Sequence, residues 1–137
     1  MAASDDHTAE FHARMPFART LGLQRVYASR EQVGASVALD EAHATGGGIM
    51  HGGVIMGLAD SVGGYCAMLN LPSGASGTAT IESKTNFLRA IRAGSVHAVA
   101  RPLHIGRSVI VVDTELRDDD GRLVARTTQT QAVLTPS

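Results

Sequence analysis

Between Ala42 and Ile81 the chain carries one formal charge, Asp60, set inside the stretch GGGIMHGGVIMGLADSVGGYCAMLNL from Gly46 to Leu71. An ionised carboxylate in apolar surroundings is costly unless it is paired or put to use, so this residue constrains both what the segment can form and what it can do. The segment reads as a Gly-rich loop feeding a helix from about Gly52 to Asn70. Leu71-Pro72-Ser73-Gly74 stops that helix, because proline cannot continue the hydrogen-bond ladder and disfavours helical backbone at the residue before it. At 100° per residue Val54, Leu58, Val62, Tyr65 and Leu69 form one apolar stripe suited to packing on a sheet. Asp60 points the other way, among Gly53, Met56, Gly57, Gly63, Gly64 and Ala67. Each internal glycine costs a helix roughly 0.8 to 1 kcal/mol relative to alanine, which implies that a partner backbone or a ligand approaches closely on that side. An acid that only caps a neighbouring loop is the competing reading.

The start of the helix matters as much as its middle. His51-Gly52-Gly53 places unhindered backbone N–H groups at the positive end of the helix dipole, where they can donate to a carbonyl oxygen gaining negative charge. A carbonyl polariser and a carboxylate are the parts of a hydrolytic site. Gly52 and Asp60 are eight residues apart, however, about 12 Å along a helix axis, too far for both to serve one reacting carbon. The spacing therefore predicts a site combining Gly52 of one chain with Asp60 of another.

The 137 residues suffice for one domain with a real core, and 44% hydrophobic with 18% charged residues fits a soluble globular chain. A formal net charge of −1 argues against bulk attraction to nucleic acid, and three Phe, two Tyr and no Trp leave few platforms for stacking single strands. The lone Cys66 excludes an intrachain disulfide and reads as a small buried residue rather than a nucleophile. The N-terminus shows no targeting signal, and the apolar segment of transmembrane length has Asp60 near its middle and no basic flank, so neither export nor membrane insertion is expected and a cytoplasmic location is.

Taken in order, residues 1–10 read as a flexible tail and residues 11–137 as a single domain. Glu10 to Thr20, interrupted at Pro16, suits a short helix followed by a turn. Leu21 to Arg30 and Gln32 to Leu39 form a predicted hairpin, the second arm alternating Val33, Ala35, Val37 and Leu39 with smaller residues. The TGGG of the following loop lacks the Gly-Lys-Ser/Thr ending of a nucleotide-phosphate loop. His43 and His51 have no third ligand at metal-binding spacing, so no metal or other cofactor is expected, and His51 is assigned to organising the loop by side-chain to backbone hydrogen bonds. After the helix, strands are predicted over Gly77–Arg89, Ser95–Leu103, Ser108–Arg117 and Arg122–Leu134, with Asp120-Gly121 turning the last pair. One long helix on a sheet is an α+β arrangement.

Eleven of the twelve Lys and Arg residues are Arg, and Lys84, Arg89, Arg92, Arg101 and Arg107 follow the helix. Arg suits bidentate phosphate recognition, and Arg89 and Arg92 stand at a strand end and the turn after it, although solvated strand ends account equally well for any one of them.

The residues HGGVIMGLAD at 51–60 resemble the helix motif of hot-dog fold acyl-CoA thioesterases, and the resemblance extends through TNFLR at 85–89, PLHIGR at 102–107 and DGRLVA at 120–125. It is nearest to the phenylacetyl-CoA and 4-hydroxybenzoyl-CoA or dihydroxynaphthoyl-CoA thioesterase-like branches and spans roughly residue 15 to the end. It implies an antiparallel sheet wrapped around one long helix, two chains sharing a continuous sheet, and a dimer of dimers. It further implies Asp60 as the catalytic acid, nine residues after His51, with the Gly52 N–H as thioester polariser beside Gly53. Two positions depart from the family pattern: Thr45 stands where many members have Asn or Gln six residues before the His, and Gly64 stands where aryl-specific members often have Ser or Thr four residues after the acid. Both changes imply a roomier pocket.

The sequence therefore predicts an enzyme that hydrolyses a small aryl- or medium acyl-CoA thioester. Asp60, Gly52 and His51 are its catalytic group, and Thr45, Gly53, Gly64, Arg89, Arg92 and Arg107 contact the substrate. Tyr65 and Met68 are weaker candidates for the acyl pocket, with core packing the stronger reading. A hot-dog hydratase would need a His five residues after the acid, where this chain has Tyr65. A non-catalytic acyl-CoA-binding module is the alternative of a different class.

Overall fold

A computed structural model describes residues 6–137. Two short helices open it, α1 (Thr8–Arg14) and α2 (Pro16–Leu21), followed by strands β1 (Gln24–Ala28) and β2 (Val33–Ala38). A single 3-10 turn at Glu41–His43 leads to the long helix α3 (Gly52–Leu69), and strands β3 (Gly77–Phe87), β4 (Ser95–Ile105), β5 (Val109–Arg117) and β6 (Leu123–Leu134) complete the chain. The first helix begins at Thr8, inside the stretch 1–10 that the sequence assigns to a tail; residues 1–5 lie outside the described residues. Its anchor is long-range: the His7 amide donates to Val26 O at 2.7 Å and the Val26 amide to Thr8 Oγ1 at 3.0 Å. Pro16 occupies the first turn of α2, where its missing N–H has no partner to lose, and Gly22 closes that helix in the left-handed region at φ 74°.

The six strands form one antiparallel sheet in the order β1-β2-β4-β5-β6-β3. α3 lies across its concave face and touches every strand from β2 to β6. The predicted helix stripe packs there: Leu58 and Val62 are fully buried and Val54 and Tyr65 nearly so. Tyr65 meets Phe11 of α1 edge to face, with ring centroids 5.0 Å apart, so the first helix seals one end of the core. By length and apolarity α3 would pass for a membrane span, yet more than half of it is buried inside the fold. Asn70 ends it by donating from Nδ2 to Cys66 O at 2.8 Å and to Arg30 O at 2.9 Å. The Asp118–Arg122 turn joins β5 to β6, with Gly121 at φ 81°, as the Asp-Gly pair predicts.

The opposite side of α3 is less uniform than its spacing predicts. Gly53, Met56 and Asp60 are exposed, but Gly63 and Ala67 are buried. Gly57 is a contact with α2, since a Cβ there would lie 3.0 Å from Leu21 Cδ1 and 3.3 Å from the Phe17 ring. The small residues thus serve different neighbours: α2 at Gly57, a strand side chain at Gly63, and open space at Gly64.

Candidate active site

The loop before α3 is folded back on itself. Thr45 donates its amide to Ile49 O at 2.7 Å, Gly48 turns at φ 77°, and the His51 amide reaches His43 O at 2.8 Å. These bonds aim His51 at the helix start, where its Nδ1 accepts the Gly53 amide at 2.8 Å, the loop-organising role its position predicts. A helix start leaves its first amides unpaired. His51 satisfies that of Gly53, while the Gly52 amide has no hydrogen-bond partner among the described residues.

Gly52 lines a cavity of about 460 Å³. Ile49, Met50, Ile55, Phe87, Leu88 and Ile91 give it an apolar lining, and Thr45 and Arg89 supply the polar side chains at its wall. Gly52 packs closely on the Phe87 ring, which would stand 3.1 Å from a Cβ at that position. The structure thus brings Thr45, Gly52 and Arg89 together. In an apolar setting an unpaired amide at a helix N-terminus is a strong donor to a carbonyl oxygen.

Asp60 does not line this cavity. It lies more than two helical turns further along α3, on the exposed face beside Gly53 and Met56. One partner meets it among the described residues: Gln129 of β6 donates Nε2 to Asp60 Oδ1 at 2.9 Å. Gln129 is wholly buried and was not singled out by its sequence context. The signal was present in β6, where RTTQTQ alternates and so puts Thr127, Gln129 and Gln131 on one face; that face is the buried one.

The remaining predicted contacts scatter. Arg92 lines a separate depression with Asp118, Asp119, Asp120 and Arg122. Arg107 is exposed in the turn between β4 and β5, and Gly64 faces open space on α3. Gly53 is occupied in the cap with His51. Tyr65 belongs to the core, while Met68 is 37% exposed. Burial pushes the Cys66 thiol up to about 11, which keeps it protonated and unreactive at neutral pH. Among the described residues no three His, Cys, Asp or Glu side chains gather as metal ligands.

Residues 47–125, which hold the helix start, Asp60 and most of the sheet, match the sequence model of the thioesterase superfamily. PA1618 of Pseudomonas aeruginosa is 34% identical over 102 residues, 74% of this chain and 70% of that one. The crystal structure of a mutant of that thioesterase superposes with a TM-score of 0.84 at 32% identity, covering 92% of each chain. The thioesterase HI1161 of Haemophilus influenzae superposes with a TM-score of 0.80 at 27% identity, covering 87% of this chain and 82% of that one. The 1,4-dihydroxy-2-naphthoyl-CoA hydrolase of Escherichia coli is 34% identical over 87 residues, 64% of this chain and 63% of that one.

Proposed function

This chain belongs to the thioesterase superfamily and has its hot-dog fold, and from that premise we propose that it hydrolyses a small aryl- or medium acyl-CoA thioester to the free acid and CoA at a site built by two copies of the chain. The carrying observation is the separation of the two chemical groups: Gly52 lines the apolar cavity, and Asp60 lies outside it on an uncovered helix face. Eight residues of helix put about 12 Å between them along the axis, so a second copy must bring its own Asp60 to the first copy's Gly52.

The uncovered surfaces support that assembly. β3 is an edge strand with Ile81 63% exposed, and Phe87 and Leu88 at its end are more than half exposed. Unpaired backbone groups on a long edge with apolar side chains invite pairing with another strand. Joining two β3 edges makes one continuous sheet and sets the two α3 helices, with their exposed Asp60 faces, against each other. Two such dimers back to back form the tetramer.

In the reaction the Gly52 N–H donates to the thioester carbonyl and stabilises the oxyanion, while Asp60 of the second copy either activates water or attacks the carbonyl carbon itself. Thr45 presents its hydroxyl at the cavity wall in place of a longer amide side chain, and Arg89 meets the CoA phosphates at the mouth. The apolar lining suits an aromatic or medium aliphatic acyl group, and the E. coli relative named for an aryl-CoA substrate favours the former.

The test is thiol release from a panel of aryl- and aliphatic acyl-CoAs by the wild type and by Asp60→Asn, with oligomeric state measured by light scattering. The expected result is turnover by a dimer or larger assembly, lowered by orders of magnitude in Asp60→Asn with assembly intact. Wild-type rates in Asp60→Asn, or a fully active monomer, would refute the shared site.

A further inference from the structure

The inner face of β6 is polar where a core strand is ordinarily apolar. Its neighbour β5 presents Ile110, Val112, Thr114 and Leu116, all fully buried and only one of them polar, whereas β6 presents Thr127, Gln129 and Gln131 in succession. Two of these three are satisfied by the adjacent edge strand: Thr127 Oγ1 lies 2.7 Å from Thr85 Oγ1, and Gln131 Nε2 donates to Thr80 Oγ1 at 2.8 Å. Gln129 stands in register with Ser83 of β3, but its side chain does not bond to that residue. Its amide turns to α3 and donates to Asp60 Oδ1 at 2.9 Å.

The chemistry fixes which way that amide faces, since only its NH₂ end can meet a carboxylate. The other end is then committed. Gln129 Oε1 is buried with no hydrogen-bond partner among the described residues, an unfavourable state that buried polar atoms rarely keep. It rests against Gly63, and a Cβ on Gly63 would overlap Oε1 outright and lie 2.7 Å from Cδ. The helix has a notch, the amide fills it, and one of its polar atoms goes unsatisfied so that the other can hold Asp60. A glutamine retained only for packing would be better replaced by an apolar side chain of the same size.

We propose that Gln129 is the positioning residue for Asp60, fixing Oδ1 so that Oδ2, which has no partner among the described residues, is presented outward to the reacting thioester, and that Gly63 is the glycine that makes room for it. This rests on Asp60 being the reacting acid as set out above. Gln129 acts through Asp60 and is itself too buried to touch substrate. Its loss therefore alters the chemical step and not binding, because a substrate held equally well in the ground state still meets a misoriented carboxylate.

The experiment compares Gln129→Met, which keeps volume and removes the donor, with wild type and Asp60→Asn on one acyl-CoA that the wild type cleaves. The expected result is a fall in kcat of about 10- to 100-fold, the scale of a lost hydrogen bond to a charged group, with KM unchanged and Tm unchanged or raised. Gly63→Ala, which displaces the amide without deleting it, gives the same kcat-only loss and covers the case in which Gln129→Met does not fold. Wild-type kcat in a folded Gln129→Met beside an inactive Asp60→Asn would overturn the positioning role and leave the hydrolase reading standing. A rise in KM at constant kcat would overturn it as well. Turnover that survives Asp60→Asn would overturn both.

Discussion

His51 Nδ1 accepts the Gly53 amide at 2.8 Å, and in doing so leaves the Gly52 amide as the unpaired donor at the start of α3. The same imidazole caps the helix beside the glycine that lines the cavity.

Removing it tests the cap. His51→Ala should lose about 0.5 to 2 kcal/mol of stability, the range for deleting a helix cap, and lower kcat because the uncapped first turn holds the Gly52 amide less firmly in place. His51→Asn supplies another good capping acceptor and should recover most of the stability. Chemical denaturation and thiol release on the three proteins make the comparison.

Gly52 and Phe87 are a second coupled pair. A methyl at residue 52 would sit 3.1 Å from the Phe87 ring, so Gly52→Ala pushes the ring or the helix start by a few tenths of an ångström. With the Gly52 amide as the proposed oxyanion donor, misplacing it should lower kcat roughly 10- to 100-fold. Gly52→Ala with Phe87→Leu relieves the contact and should restore part of the loss; additive losses in a double-mutant cycle would show that the ring is irrelevant.

Arg89 lines the Gly52 cavity, whereas Arg92 lines a separate depression with Asp118, Asp119, Asp120 and Arg122. Arg89→Ala should therefore raise KM for acyl-CoA roughly fivefold, about 1 kcal/mol, with kcat unchanged. Arg92→Ala should change KM by less than half as much. Steady-state kinetics at fixed ionic strength decide between them.

Away from the site, Asp119 Oδ1 meets His97 Nε2 at 2.6 Å, and His97 Nδ1 in turn meets Ser36 Oγ at 2.7 Å, tying the β5–β6 turn to β4 and β2. The hydrogen bond from His97, followed by that from the Ser95 amide, holds the Asp119 carboxyl below its ordinary value of 3.8. A carboxyl depressed in the folded state contributes stability that is complete above its unfolded pKa and is lost as pH falls through the folded one. Asp119→Asn should thus be less stable than wild type at pH 5 to 6, and the gap should close below about pH 4. Urea midpoints measured across that range give the check.

Much of this protein is local and could be read from the chain itself. Gly52 and Pro72 bound the helix, the Val54, Leu58, Val62 and Tyr65 stripe faces the sheet, and Asp120-Gly121 makes the turn, because each rests on backbone preference or a short period. The tertiary structure alone decided what each side chain meets. Gln129 is 69 residues from Asp60, and no period along β6 tells that its amide crosses to the helix while Gln131 and Thr127 stay with β3. The same holds for Arg89 and Arg92, three residues apart in sequence yet in different surroundings, and for α1, whose start at Thr8 depends on Val26 across the fold. Hydrophobic patterning assigns a residue to the inside or the outside, but a hydrogen bond needs two groups within about 3 Å, and that distance is set by how separate elements pack.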